Sequence, residues 1–135
     1  MKTIEHLGIA VKDLNKAVQQ YEKLLDSICY KRESVESEKV DTAFFKMGGS
    51  KLELLAATEE SSVIAGFIAK KGEGMHHVAF EVEDIVAEIG RLKAEGFTMV
   101  SDEPKSGADN KLVAFVHPKN STGMLIELCQ ERKTD

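Results

Sequence analysis

The chain repeats itself once, and no other feature narrows the choice of fold as much. The stretch His6-Leu7-Gly8-Ile9-Ala10-Val11-Lys12-Asp13-Leu14 aligns without a gap with His77-Val78-Ala79-Phe80-Glu81-Val82-Glu83-Asp84-Ile85, 71 residues further on. Leu52-Glu53-Leu54 aligns with Ile126-Glu127-Leu128 at an offset of 74 residues. The second copy therefore carries about three extra residues in a loop. Two matched pairs in the same order at nearly the same offset mark the duplication of one supersecondary unit.

Each copy reads as strand, helix, then further strands. In the first strand Leu7, Ile9 and Val11 alternate with His6, Gly8 and Ala10, a period of two. The bulky face is expected to pack on a helix, and the face of small residues to line something open. Asp13 is a natural N-cap for a helix whose apolar stripe is Leu14, Ala17, Val18, Tyr21, Leu24 and Leu25. Asp84 takes the same role before Ile85, Ile89 and Leu92, and Gly96 stops that helix. Further strands are predicted near Ile28–Arg32, Thr42–Met47, Lys51–Ala56, Thr98–Ser101, Leu112–His117 and Met124–Cys129. Between the copies, Ser62 to Lys71 predicts a short helix with Val63, Ile64, Phe67 and Ile68 on its apolar face, and Gly72 and Gly74 let the chain turn. The expectation is an α+β fold of two tandem βαβββ modules in a single domain: module 1 over about 1–60, a linker helix over about 61–72 and module 2 over about 73–135.

Composition excludes several partners. A net charge of −5 with acids and bases interspersed offers no basic stripe for nucleic acid. No apolar run approaches the roughly 20 residues that span a bilayer, and the first residues lack the apolar middle of a signal peptide. Cys29 and Cys129 have no spacing that demands a bridge, so a reduced cytoplasmic protein is the expectation.

Parity then singles out four residues. Alternate residues of a strand share a face, so His6 lies with Gly8 and Ala10, and His77 with Ala79. Glu53 sits between Leu52 and Leu54, and Glu127 between Ile126 and Leu128. A carboxylate inside such an apolar run must reach solvent or a partner, because burial without one is costly. If the copies pack about a pseudo-twofold axis, His6, Glu53, His77 and Glu127 meet at one divalent metal. Two imidazoles and two carboxylates suit cobalt, nickel, manganese, zinc or iron(II). His76 falls on the other strand face and reads as structural or as a support for the metal ligands. His117 before Pro118 reads as a loop residue, and Cys129, on the Glu127 face, as an inert thiol.

These residues carry a resemblance. The doubled His-strand-Asp-helix unit with a Glu in each half resembles the glyoxalase and extradiol-dioxygenase superfamily, also called vicinal oxygen chelate. Nearly the whole chain is similar to its methylmalonyl-CoA epimerase family. The stretches that carry this include Gly72-Glu73-Gly74-Met75-His76-His77-Val78-Ala79-Phe80, Asp102-Glu103-Pro104-Lys105 and Phe115-Val116-His117-Pro118-Lys119. The resemblance implies a glyoxalase-like fold, a cytoplasmic homodimer, an acyl-CoA substrate and one divalent metal, with cobalt placed first. It carries the ligand positions to His6, His77 and Glu127, with Glu53 in a place where some members have Gln. It also implies a 1,1-proton transfer at C2 of methylmalonyl-CoA through an enolate. Glu127 is then the first candidate base and Glu53 the other catalytic carboxylate, with Asp41 or a water as alternatives to Glu53. Val40-Asp41-Thr42-Ala43 departs from members that carry a Glu there as a second base. Lys105 or Lys119 is expected to meet the coenzyme's phosphates. Three rivals share the fold: glyoxalase I, the drug-binding resistance proteins that lack metal ligands, and the extradiol dioxygenases. Against glyoxalase I stands the turn His117-Pro118-Lys119-Asn120-Ser121-Thr122-Gly123, which replaces an Asp-Pro-Asp-Gly-like turn.

Overall fold

Two aspartates 71 residues apart start two helices in the same way. In the computed structural model, which describes residues 1–132, the Asp13 carboxylate accepts from the Lys16 N–H at 3.1 Å. The Asp84 carboxylate accepts from the Ala87 N–H at 3.1 Å. Each contact satisfies a backbone donor that the first helical turn would otherwise leave unmade. Helix α1 follows over Leu14–Leu25 and ends on Asp26 in the left-handed region at φ 49°. The later helix, Ile85–Ala94, ends just before Gly96, whose φ of 98° suits glycine.

The chain divides into two compact units, His6–His76 and Met1–Glu5 together with the chain from His77 on. Each unit has βαβββ order. In the first, β1 (Thr3–Ala10, which enters this unit at His6), β2 (Lys31–Val35), β3 (Val40–Met47) and β4 (Ser50–Ala57) lie in the order β2-β3-β4-β1. β1 runs parallel to β4 and the other pairs are antiparallel. One face of this sheet packs on α1, where Ala17 and Val18 meet Ala43, Phe45, Leu52 and Leu54, with Leu7 and Ile9 alongside. Phe45 and Leu54 have no exposed surface, and each such side chain contributes about 1.5–3 kcal/mol by leaving water. The other face is covered along one end by α2 (Val63–Lys71), which sets Ile64, Phe67 and Ile68 on Ala10, Val35, Val40 and Leu55.

The second unit repeats this plan. β5 (Gly74–Glu81), α3 (Ile85–Ala94), β6 (Lys105–Gly107), β7 (Lys111–Val116) and β8 (Leu125–Glu131) follow in sequence, with the strands in the order β5-β8-β7-β6. β5 is parallel to β8. Ile85, Ile89 and Leu92 of α3 pack on Ala114, Val116 and Leu128.

Three local expectations shift. The second strand is Lys31–Val35 rather than Ile28–Arg32, and Ile28 is exposed. Its place is set by the pairing Val35↔Val40 across a tight turn, a constraint that composition does not carry. Residues 98–101 make a single bridge, Met99↔Val116, and the short ladder on that edge of β7 is formed by Lys105–Gly107 instead. Val63 points away from the packed side of α2 and is 67% exposed. The extra length of the second copy lies in the β7–β8 connection, His117–Met124, where the first copy has only the turn after Met47.

Candidate functional site

Register decides which side chains share a surface. In the first unit Gly8 pairs with Glu53 and Ala10 with Leu55, and directly paired residues point to the same side of a sheet. His6, Gly8, Ala10 and Glu53 therefore face away from α1. The absence of a side chain on Gly8 leaves space beside Glu53. His6 and Glu53 are both buried, and the imidazole Nε2 lies 3.7 Å from the carboxylate Oε1.

The second unit builds the same pair. Ala79 is the neighbour of Glu127 in the parallel β5–β8 ladder. His77 and Glu127 are buried, with Nε2 and Oε1 3.2 Å apart. Each unit thus brings one imidazole to one carboxylate on the face opposite its own long helix. Duplication of strand parity produces both, as the sequence pattern implies.

A matching support lies behind each carboxylate, and the sequence reading missed it. Phe44 of β3 is paired with Glu53, and Phe115 of β7 with Glu127. The two rings are 71 positions apart, the offset of the histidines, so carrying the repeat search through the third strand would have found them. A lysine stands over each ring: Lys31 Nζ lies 5.5 Å from the Phe44 centroid and Lys105 Nζ 5.7 Å from that of Phe115. Cation–π attraction favours both placements. Tyr30 adds a tilted contact to Phe44 at 6.2 Å between centroids.

The remaining expected residues fall as follows. His76 turns to the opposite strand face, where it meets Phe67 edge to face at 4.9 Å. Burial, and then the Lys71 ammonium, hold its pKa below the ordinary histidine value. His117 caps the turn Pro118–Asn120, its Nδ1 accepting from the Lys119 N–H at 3.2 Å, and Lys119 itself is exposed. Cys29 and Cys129 are free thiols. Cys129 is fully buried and donates to the Phe80 carbonyl at 3.6 Å. Burial, and then the Glu127 carboxylate, push its pKa far above that of an ordinary thiol, so it stays protonated and unreactive.

Asp41 is a correction. It pairs with Ala56 and shares its side of β3 with Ala43 and Phe45, the side that packs on α1. It accepts a hydrogen bond there from the Ser34 hydroxyl at 2.6 Å. A carboxylate on that side of the sheet has no access to Glu53, so it is no candidate for the second base. Its neighbour Thr42 does share the Glu53 face but spends its hydroxyl on the Glu33 carbonyl at 2.9 Å. Among the described residues, no helix is long and apolar enough to cross a membrane.

Comparison with known proteins agrees with this geometry. The family described as the glyoxalase/bleomycin resistance protein/dioxygenase superfamily matches residues 5–115. An ethylmalonyl-CoA/methylmalonyl-CoA epimerase of Cereibacter sphaeroides is 41% identical over 129 residues, which cover 94% of this chain and 96% of that protein. The mitochondrial methylmalonyl-CoA epimerase of Homo sapiens is 39% identical over 128 residues, covering 94% of this chain and 73% of its own length. A solved structure of a Streptomyces coelicolor methylmalonyl-CoA epimerase variant, in complex with 2-nitronate-propionyl-CoA, superposes with a TM-score of 0.94 at 33% identity, over 100% of this chain and 98% of that one.

Proposed function

This chain belongs to the glyoxalase/bleomycin resistance protein/dioxygenase superfamily and, within it, to the methylmalonyl-CoA epimerase family, and we propose that it inverts C2 of methylmalonyl-CoA at a site formed by His6, Glu53, His77 and Glu127. The observation that carries the reading is the duplicated pair, one buried imidazole beside one buried carboxylate in each unit. Relatives 39–41% identical to this chain act, by their names, on methylmalonyl-CoA.

The donor set fits a divalent cation. Two imidazole nitrogens and two carboxylates are borderline-to-hard ligands, suited to cobalt first and to nickel, manganese, zinc or iron(II) as alternatives. Buried carboxylates in apolar strands also call for positive charge beside them, and His6, His77 and Glu127 are the group with which we would fill the coordination shell first. When bound, the cation supplies Lewis-acid stabilisation of negative charge developing on the substrate's oxygens.

The chain's own residues do the rest. Glu127 takes the C2 proton, whose acidity comes from the flanking thioester and carboxylate. The electron pair left behind passes into the thioester carbonyl, giving a planar enolate. Inversion is completed when a proton arrives on the opposite face. Phe44 and Phe115 exclude water beside the two carboxylates, and Lys105, which stands over Phe115, meets an anionic group of the coenzyme. We assign the working form as a cytoplasmic homodimer of single-domain chains.

The test is proton NMR of the cobalt-loaded protein with methylmalonyl-CoA in deuterated buffer. The C2 proton signal is expected to disappear with the native protein and to persist with His77→Ala and after chelation. A persistent signal with the native protein refutes the reading, and turnover of methylglyoxal with glutathione would replace it by glyoxalase I chemistry.

A further inference from the structure

Inversion needs proton exchange on two faces of one carbon, and Glu127 serves only one. We propose that Glu33, on β2, is the second proton carrier, an inference that rests on the epimerase reading above. The face of the first unit's sheet that holds Glu53 is fixed by register. β4 contributes Lys51, Glu53 and Leu55, β3 contributes Val40, Thr42, Phe44 and Lys46, and β2 contributes Lys31, Glu33 and Val35. Among the strand residues on this face only Glu53 and Glu33 carry a carboxylate.

Several observations agree on the direction of Glu33. Burial along β2 alternates, with Lys31, Glu33 and Val35 half-buried and Arg32 and Ser34 exposed. Arg32 reaches Asn15 of α1 at 2.5 Å, and Val35 packs under α2 on the opposite side. Glu33 thus shares its side with Val35, next to the ground that α2 covers. Its direct partner across the ladder is Thr42, whose hydroxyl is already committed to the Glu33 carbonyl. Lys31 holds the Glu33 Oε1 at 3.5 Å while standing over Phe44, the ring paired with Glu53. Lysine, ring and two carboxylates therefore occupy adjacent positions of one surface.

The spacing lets Glu33 serve a substrate held beside Glu53. β2 lies two strands from β4, so the backbones of Glu33 and Glu53 are separated by about 10–12 Å at roughly 4.8 Å per strand and 3.3 Å per residue. Glu33 can therefore reach inward toward an acyl group held beside Glu53 without displacing that carboxylate. In one direction Glu33 removes the C2 proton as the C–H bond breaks into the thioester carbonyl, and protonated Glu127 returns a proton to the other face. In the reverse direction the two exchange roles, so protons and electrons balance without a further reactant.

Single epimers of methylmalonyl-CoA, incubated in deuterated buffer with the metal-loaded protein, separate the two half-reactions: loss of the C2 proton reports either base, inversion requires both. For Glu33→Gln, inversion is expected to fall about 10²–10⁴-fold while one epimer still exchanges its proton within a few-fold of the native rate. Glu33→Asp, which keeps the carboxylate, should recover part of the inversion, and Asp41→Asn should match the native protein. Inversion by Glu33→Gln within three-fold of native overturns the proposal, and so does an equal loss of exchange and inversion with both epimers. A native protein that exchanges neither epimer overturns the epimerase reading itself, and this inference with it.

Discussion

Replacing Glu53 by leucine should make the metal-free protein less stable and shrink the stabilisation that metal provides. Glu53 is 3% exposed, lies between Leu52 and Leu54, and pairs across strands with Phe44 and Gly8. The His6 imidazole lies 3.7 Å from its carboxylate. Removing one partner of a buried pair leaves the other behind and costs about 3–5 kcal/mol. Because leucine fills most of the space the glutamate leaves, the lower end of that range, about 3 kcal/mol, is expected. For a chain of this size that lowers the melting temperature by on the order of 10 °C. Metal at about 100 times its Kd should add about 2.7 kcal/mol to the native protein. Loss of a supporting partner alone weakens metal sites about 10–100-fold, so loss of a ligand leaves at most about 0.4–1.4 kcal/mol at the same concentration. Thermal melts of both proteins, with chelator and with cobalt, measure all four quantities. A metal-free Glu53→Leu that melts at or above the native protein would refute the pairing argument, and an undiminished metal shift would refute the ligand assignment.

Two further predictions concern the second unit. A methyl group on Gly107 would come within 2.7 Å of Val113 Cγ1, so Gly107→Ala should cost about 1–3 kcal/mol by overpacking. Urea titration should show Val113→Ala, made in the same chain, costing less in that background than alone. The depth of Cys129 and its raised pKa predict that a thiol reagent at pH 8 labels at most one cysteine in the native protein and both after denaturation. The sign follows from the protonated thiol being the form the fold favours, so raising the pH to 8 leaves Cys129 unreactive. Rapid labelling of both in the native state would contradict it.

Much of this molecule is legible in its sequence. The repeat at 71 and 74 residues implied two βαβββ units, and Asp13 and Asp84 marked both helix starts because N-caps act through contacts three residues long. Strand alternation, a local property with a period of two, put His6 with Gly8 and Ala10, and His77 with Ala79; register brought Glu53 and Glu127 to those faces. Asp41 shows where that reasoning stops. Whether it or Thr42 shares a face with Glu53 depends on how β3 is registered on β4, and a slip of one residue would exchange them. Register is chosen by hydrophobic burial against α1 and by the length of the connecting turn, both of which involve residues far apart in sequence. The same holds for β2, whose displacement to Lys31–Val35 turned Glu33 toward the Glu53 face. Local pattern determined which residue types alternate; only the packed sheet decided which of them face one another.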